Sequence, residues 1–187
     1  MSTLNKEFLT FKLGREEFAV EILRVQEIRG WETPSPLPSV PPYVKGVVDL
    51  RGTVVPIIDL REKFKLPLSY NGTTVVIVVH VLTSQGEKVV GLVVDAVSDV
   101  HQFDVNNLQS PPDISSSVEN QFVLGLTTIY DEKGQQSMVH SRADDDKPAV
   151  KGRMVIVIDI DKLASENLLQ SVLIDSFQDA TTTNEAP

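Results

Sequence analysis

The sequence predicts a mainly β fold built as two small β-barrels packed side by side, and three observations carry that prediction. Valine and isoleucine dominate the apolar segments, which lie a few residues apart and are punctuated by Gly, Pro, Asn and Ser, the spacing of short strands in barrels or sandwiches. A strand-turn-strand unit occurs twice. Tyr43–Leu50 (YVKGVVDL) aligns with Phe122–Ile129 (FVLGLTTI), and Gly52–Leu60 (GTVVPIIDL) aligns with Gly152–Ile160 (GRMVIVIDI), so Gly52, Val55, Ile58 and Asp59 recur one hundred residues on as Gly152, Val155, Ile158 and Asp159. Finally, the runs VVIVV and VVGLVV are apolar without alternation, which suggests burial on both faces. Two such units with strands of this length share a core, so neither barrel is an independent domain. The expected organisation is one domain over residues 1–178 made of two interleaved barrel subdomains, then a disordered tail over 179–187.

In chain order, Leu9, Phe11 and Leu13 alternate on one face of a strand over Phe8–Leu13, and LGREEFAV reads as a hairpin turning at Gly14–Glu17. Ile22, Val25 and Ile28 recur at helical spacing before a stop at Gly30, which predicts a short helix over Glu21–Arg29. Five prolines between Pro34 and Pro42 make a stiff extended loop. Tyr43–Leu50 and Thr53–Asp59 flank the two-residue connection Arg51-Gly52, and Leu60–Phe64 makes one helical turn. Thr73–Leu82 and Glu87–Val100 form a second hairpin turning at SQG, followed by a loop-like stretch, DVNNLQSPPDISSS. In the second copy of the repeat the connection is an expanded, polar loop at about 130–151, expected to project into solvent.

Composition narrows the function. Of the 187 residues, 41% are hydrophobic, enough for a real core. Cysteine is absent, which removes disulfides, thiol nucleophiles and the usual structural zinc sites. A net charge of -9, from 26 acidic against 17 basic residues, argues against general phosphate attraction and so against nucleic-acid binding. No apolar run reaches membrane-span length and the N-terminus lacks a signal-peptide layout, so the expected compartment is the cytoplasm.

Catalytic patterns are sparse. His80, His101 and His140 show no metal-ligand spacing, Asp144-Asp145-Asp146 lacks the glycine and distal glutamate of a calcium loop, and no phosphate-binding glycine motif or nucleophile elbow occurs. The strand-end aspartates Asp49, Asp59, Asp95 and Asp159 admit an enzyme reading, since two converging carboxylates can share acid and base work. Asp59 and Asp159 each stand just before a helical turn, however, where aspartate caps exposed N–H groups, and capping is the preferred reading. Glu27 and Arg51 could meet across the proline loop, where an arginine fork takes a carboxylate with two hydrogen bonds, although from the residues alone two unrelated surface charges is the favoured reading.

QEIRG (Gln26–Gly30), VKGVVDLRGTVVPIIDLREKF (Val44–Phe64) and VVGLVVDAVSDV (Val89–Val100) together resemble the CheW family of bacterial chemotaxis adaptors, over about Glu7 to Ala164. The resemblance implies two five-stranded, SH3-like or OB-like β-barrel subdomains with short helices, and a non-enzymatic scaffold with no catalytic residue, metal or cofactor. It implies coupling of the cytoplasmic tips of methyl-accepting chemoreceptors to the regulatory domain of the histidine kinase CheA, in arrays at the inner face of the cell membrane. The adaptor is expected to be monomeric when free, without membrane insertion. By the same resemblance Glu27 and Arg51 form a salt bridge supporting the receptor-facing surface, with further receptor-side positions at Val25, Gly46, Val75, Val97 and Val100. Small aliphatic side chains suit the apolar stripe of a helical hairpin, and ordinary core packing is the alternative for each valine. The kinase side corresponds to Leu108–Ile114 (LQSPPDI), with Gln109, Pro112, Asp113 and Ile114 as contacts. The family form I-R-P-x-P-E-F has arginine where Gln109 stands and phenylalanine where Ile114 stands; losing both predicts a weaker or differently partnered contact. Alternatives are the coupling module of a CheV-like or non-flagellar, pilus-type pathway, a small-barrel nucleic-acid binder, and a hydrolase using Asp59 or Asp159.

Overall fold

The computed structural model describes residues 4–83, 86–110, 122–130 and 152–165. Its strands are β1 (Asn5–Leu13), β2 (Glu16–Glu21), β3 (Val25–Gly30), β4 (Val44–Leu50), β5 (Thr53–Asp59), β6 (Val75–Thr83), β7 (Gly86–Val94), β8 (Ala96–Asp104), β9 (Val123–Tyr130) and β10 (Gly152–Ile158). Two short helices, α1 (Leu60–Lys63) and α2 (Ile160–Ser165), follow β5 and β10. The fold is mainly β: two curled five-stranded sheets, ordered β8-β1-β2-β10-β9 in the first and β3-β6-β7-β5-β4 in the second.

Both sheets are built on one plan. The repeat becomes the antiparallel pairs β4–β5 and β9–β10, and the second strand of each pair lies parallel to the second strand of another hairpin, β5 to β7 of β6–β7 and β10 to β2 of β1–β2. The Asp59 N–H donates to the Tyr43 carbonyl at 2.7 Å and the Asp159 N–H to the Phe122 carbonyl at 2.8 Å, so the two copies also end alike. The strands are interleaved: after β2 the chain crosses to the second sheet to make β3, and after β7 it crosses back to make β8.

Burial on both faces of the central strands follows from this layering. On β6, Ile77, Val79 and Val81 enter a cluster shared with Leu9, Phe11, Leu13 and Phe18 of the first sheet, while Val76 and Val78 enter a separate cluster with Leu50, Val55 and Ile57. The first sheet has its own cluster around Phe8, Ala19, Val155 and Val157. Each such side chain contributes about 1.5 to 3 kcal/mol, so the shared layer binds the sheets into one unit.

Two expectations need correction. Residues Glu21–Arg29 are not a helix: Ile22–Arg24 form one 3₁₀ turn and Val25–Gly30 are β3. A bulge between Val25 and Glu27 inserts one residue, so Val25 and Ile28 face the same side opposite Val79 and Ile77. That three-residue spacing imitates a helix. Likewise Glu87–Val100 is not one strand, because the run breaks at Asp95, where the chain changes sheet. Of the expanded loop only Tyr130 is described; the rest of it, Pro112, Asp113, Ile114, His140, Asp144-Asp145-Asp146 and the tail over 179–187 lie outside the described residues.

Candidate functional site

The second sheet curls so that its two edge strands, β3 and β4, approach without pairing. Glu27 stands on β3 and Arg51 in the turn after β4, and Arg51 Nη2 lies 3.8 Å from Glu27 Oε2. This is a single long contact rather than a two-bonded fork, and the Arg51 side chain is 85% exposed. Below it the seam opens into a cavity of about 240 Å³ whose wall includes Arg29, Thr33, Val47 and Asp49. The loop that follows β3 closes the other side, where Ser35 and Val47 exchange N–H to carbonyl bonds of 2.9 and 2.8 Å.

Arg51 occupies an unfavourable backbone position. With φ of +52° at Arg51 and +86° at Gly52, the connection is a type I′ turn, whose first central position favours asparagine or glycine. The Asp49 carboxylate anchors it by accepting the Gly52 N–H at 2.7 Å. Left-handed backbone costs a branched or long side chain about 1 to 2 kcal/mol, a strain of the kind found at functional positions. Arg51→Asn is therefore expected to raise stability by about 0.5 to 1 kcal/mol, or roughly 1 to 4 °C in melting temperature. A thermal melt checks this; an unchanged or lower Tm contradicts the strain argument.

The other candidates are dispersed. Gly46 is buried on β4 with φ of +137°, and a Cβ there would lie 2.0 Å from the Ser35 carbonyl oxygen, so its conformation and the crossing loop both require glycine. Val25, Val75 and Val97 are partly buried against the inter-sheet core. Val97 and Val100 belong to β8 in the first sheet, apart from the strands that carry Glu27, Gly46 and Arg51, and Val100 is 51% exposed. Gln109 is exposed and pairs with Leu126 of edge strand β9.

The strand-end aspartates serve structure. Asp159 Oδ1 accepts the N–H groups of Asp161 and Lys162 and so caps α2. Asp59 caps α1 through the Arg61 N–H at 3.0 Å, but it also holds a side chain that is absent from the predicted site. Arg61 and Asp59 are both fully buried, joined by Nε to Oδ1 at 3.0 Å and Nη2 to Oδ2 at 2.9 Å. Arg61 Nη1 donates to Asp95 at 3.0 Å and to the Ser69 carbonyl, and the Tyr70 hydroxyl donates to Asp59 at 3.1 Å. Trp31, Tyr70 and the guanidinium stack in turn, with ring centroids 4.5 Å apart and the Arg61 Cζ 4.8 Å from the Tyr70 ring. Burial acts to lower the Arg61 pKa, yet its hydrogen bonds to Asp59 and Asp95, with their charges, raise it overall. Burial, then the charge of Asp59, pushes the Tyr70 hydroxyl up to about 12. Two carboxylates bound to one buried arginine are held as structural ion-pair partners, which is not the arrangement of an acid and base pair. The sequence signal is Asp59-x-Arg61, where a capping aspartate faces an arginine two residues on.

A duplicated β scaffold whose charges tie strands, caps and crossovers together, and which presents a seam and open sheet edges outward, is a binding domain of the adaptor type. Comparison with known proteins agrees. The CheW-like domain family model matches residues 7–167. The chain belongs to the CheW family of chemotaxis adaptors. It is 37% identical over 175 residues to the chemotaxis protein CheW of Klebsiella aerogenes, covering 93% of this chain and 89% of that one. The CheW of Rhizobium meliloti is 34% identical over 158 residues, covering 84% and 86%. The crystal structure of the scaffolding protein TtCheW from Thermoanaerobacter tengcongensis has the same fold, with a TM-score of 0.64 at 24% identity over 89% of this chain and 92% of that one. Among the described residues no helix is long and apolar enough to cross a membrane.

Proposed function

We propose that the chain acts by binding alone, coupling the cytoplasmic tips of transmembrane chemoreceptors to the histidine kinase CheA in arrays at the inner face of the membrane. The receptor side takes in the seam of the second sheet, with Glu27 and Arg51 as its staple and Gly46 beside its wall, and extends to Val25, Val75, Val97 and Val100 as apolar contacts, the last two on β8 of the first sheet. The kinase side is the stretch from Gln109 through Pro112, Asp113 and Ile114, entered from the edge of the first sheet. The observation that carries this reading is Arg51 itself: an arginine kept in a left-handed turn, 85% exposed, reaching across an open seam to Glu27. An exposed pair of this length is worth about 0 to 1 kcal/mol of stability against about 1 to 2 kcal/mol of backbone strain, so the strain is not fully offset within the fold.

The test is a charge-reversal set, Arg51→Glu, Glu27→Arg and the double swap, with binding measured separately to a receptor-tip fragment and to the CheA regulatory domain. Each single change is expected to weaken receptor binding by about tenfold, with the swap restoring part of it and kinase binding unchanged. Normal receptor binding by all three variants rejects the role given to the pair. A wild-type protein that binds neither partner at micromolar concentration rejects the adaptor function.

A further inference from the structure

Positions 61 and 161 are equivalent in the repeat, each the second residue of its helix, yet one is arginine and the other aspartate. Each meets an opposite charge on the crossover by which the chain leaves that helix's own sheet. At the β7–β8 crossover, Asp95 Oδ1 accepts from Arg61 at 3.0 Å while its Oδ2 accepts the Gly14 N–H at 2.6 Å, just beyond β1 in the first sheet. At the β2–β3 crossover, Arg24 donates to both Asp161 oxygens at 3.0 and 2.7 Å, and Asp161 Oδ1 accepts the Leu82 N–H at 2.8 Å on β6 of the second sheet. The two junctions have the same parts: a helix residue, an oppositely charged crossover residue, and an N–H from the facing sheet. Their polarity is reversed.

They differ in burial. The arginine of the first junction is fully buried and also bound to the buried Asp59, so it cannot open without stranding a charge. The Arg24 and Asp161 side chains are 26% and 30% exposed, and water can solvate both when they part. We infer that Arg24 and Asp161 are positioning residues that set how the first sheet sits on the second, and thereby how receptor engagement at the seam is passed to the kinase-side edge at Gln109. This rests on the adaptor function proposed above and adds the element through which coupling runs. A coupling protein needs two arrangements close in energy that its two partners favour differently, and a solvated ion pair between rigid sheets supplies the adjustable joint.

The test uses the full chain with Arg24→Asp, Asp161→Arg and the double swap. Affinity for the receptor-tip fragment alone and for the CheA regulatory domain alone is measured, then stimulation of CheA autophosphorylation in the ternary mixture with receptor in nanodiscs. The expected result is separate affinities within about twofold of wild type, kinase stimulation down at least about fivefold in each single variant, and most of it recovered in the swap, whose polarity is that of the Arg61–Asp95 junction. Asp161→Asn removes the charge while keeping the acceptor for Leu82, and it is read for the same split if a reversal unfolds the protein. Full stimulation by the single variants, a swap no better than either single, or affinities that fall in step with stimulation overturns the inference while leaving the adaptor function standing. A wild-type protein that binds neither partner overturns both.

Discussion

Replacing Arg61 with methionine is expected to destabilise the protein by about 3 to 5 kcal/mol, the cost of removing one partner from a fully buried ion pair. Methionine fills much of the volume, so the loss comes chiefly from Asp59, left buried with its charge and with fewer donors. Adding Asp59→Asn to the same protein is expected to recover part of that loss, because the second change deletes the stranded charge while its one amide oxygen still accepts the backbone N–H of residue 61 and its amide N–H replaces the oxygen that faced the Tyr70 hydroxyl, which can accept as well as donate. The double variant should therefore be more stable than Arg61→Met alone although it carries one more mutation. Urea unfolding monitored at Trp31, which stacks on Tyr70 beside the guanidinium, measures both steps. If the second substitution adds to the damage, the stranded charge is not the main cause of the loss, and the missing stacking and the Ser69 and Asp95 bonds are.

Much of the fold was legible because the repeat constrained it. Asp59 and Asp159 marked strand ends in both copies, and the unbroken valines of β6 and β7 announced burial on two faces, which the shared and private core clusters bear out. Sequence failed where geometry depends on remote partners. The bulge in β3 gave a strand the spacing of a helix turn, and only its register against Val79 and Ile77 shows which it is. The change of sheet at Asp95 has no glycine or proline to mark it; the break is held by Arg61 and by the Asp95 N–H donating to the Lys12 carbonyl at 3.0 Å, both distant in sequence. Arg61 itself sits in LREK, which reads as an exposed helical turn, and its one local signal, the capping Asp59 two residues before it, does not say that the pair folds inward. The role of Arg51 rested on a resemblance, whereas its left-handed backbone could be seen only in the structure.

The repeat also sets up a comparison between two glycines that should not behave alike. Gly46 and Gly125 are equivalent, and the residue after each exchanges two hydrogen bonds with a passing loop, Val47 with Ser35 and Leu126 with Gln109, all between 2.8 and 2.9 Å. At Gly46 a Cβ would stand 2.0 Å from the Ser35 oxygen that accepts the Val47 N–H, and φ of +137° is itself unfavourable for alanine. The loop can clear that methyl only by giving up the bridge, so Gly46→Ala is expected to cost about 3 kcal/mol. At Gly125 the nearest obstacle is the Leu108 Cβ at 2.6 Å, with the Gln109 oxygen at 3.1 Å, and the backbone is not left-handed. There the loop can shift by less than an ångström and keep both bonds, for a cost of about 1 to 2 kcal/mol. Equal destabilisation of the two variants in urea would mean that a property shared by both sites, not the close approach at Ser35, governs the effect. The distinction bears on function, because Gly46 has no side chain to offer a receptor. If Gly46→Ala weakens receptor binding while the variant is still folded, the cause lies in the displaced seam wall around Ser35 and Val47, and a receptor-tip titration below the melting temperature, set beside Gly125→Ala as the control, separates that local effect from a general loss of stability.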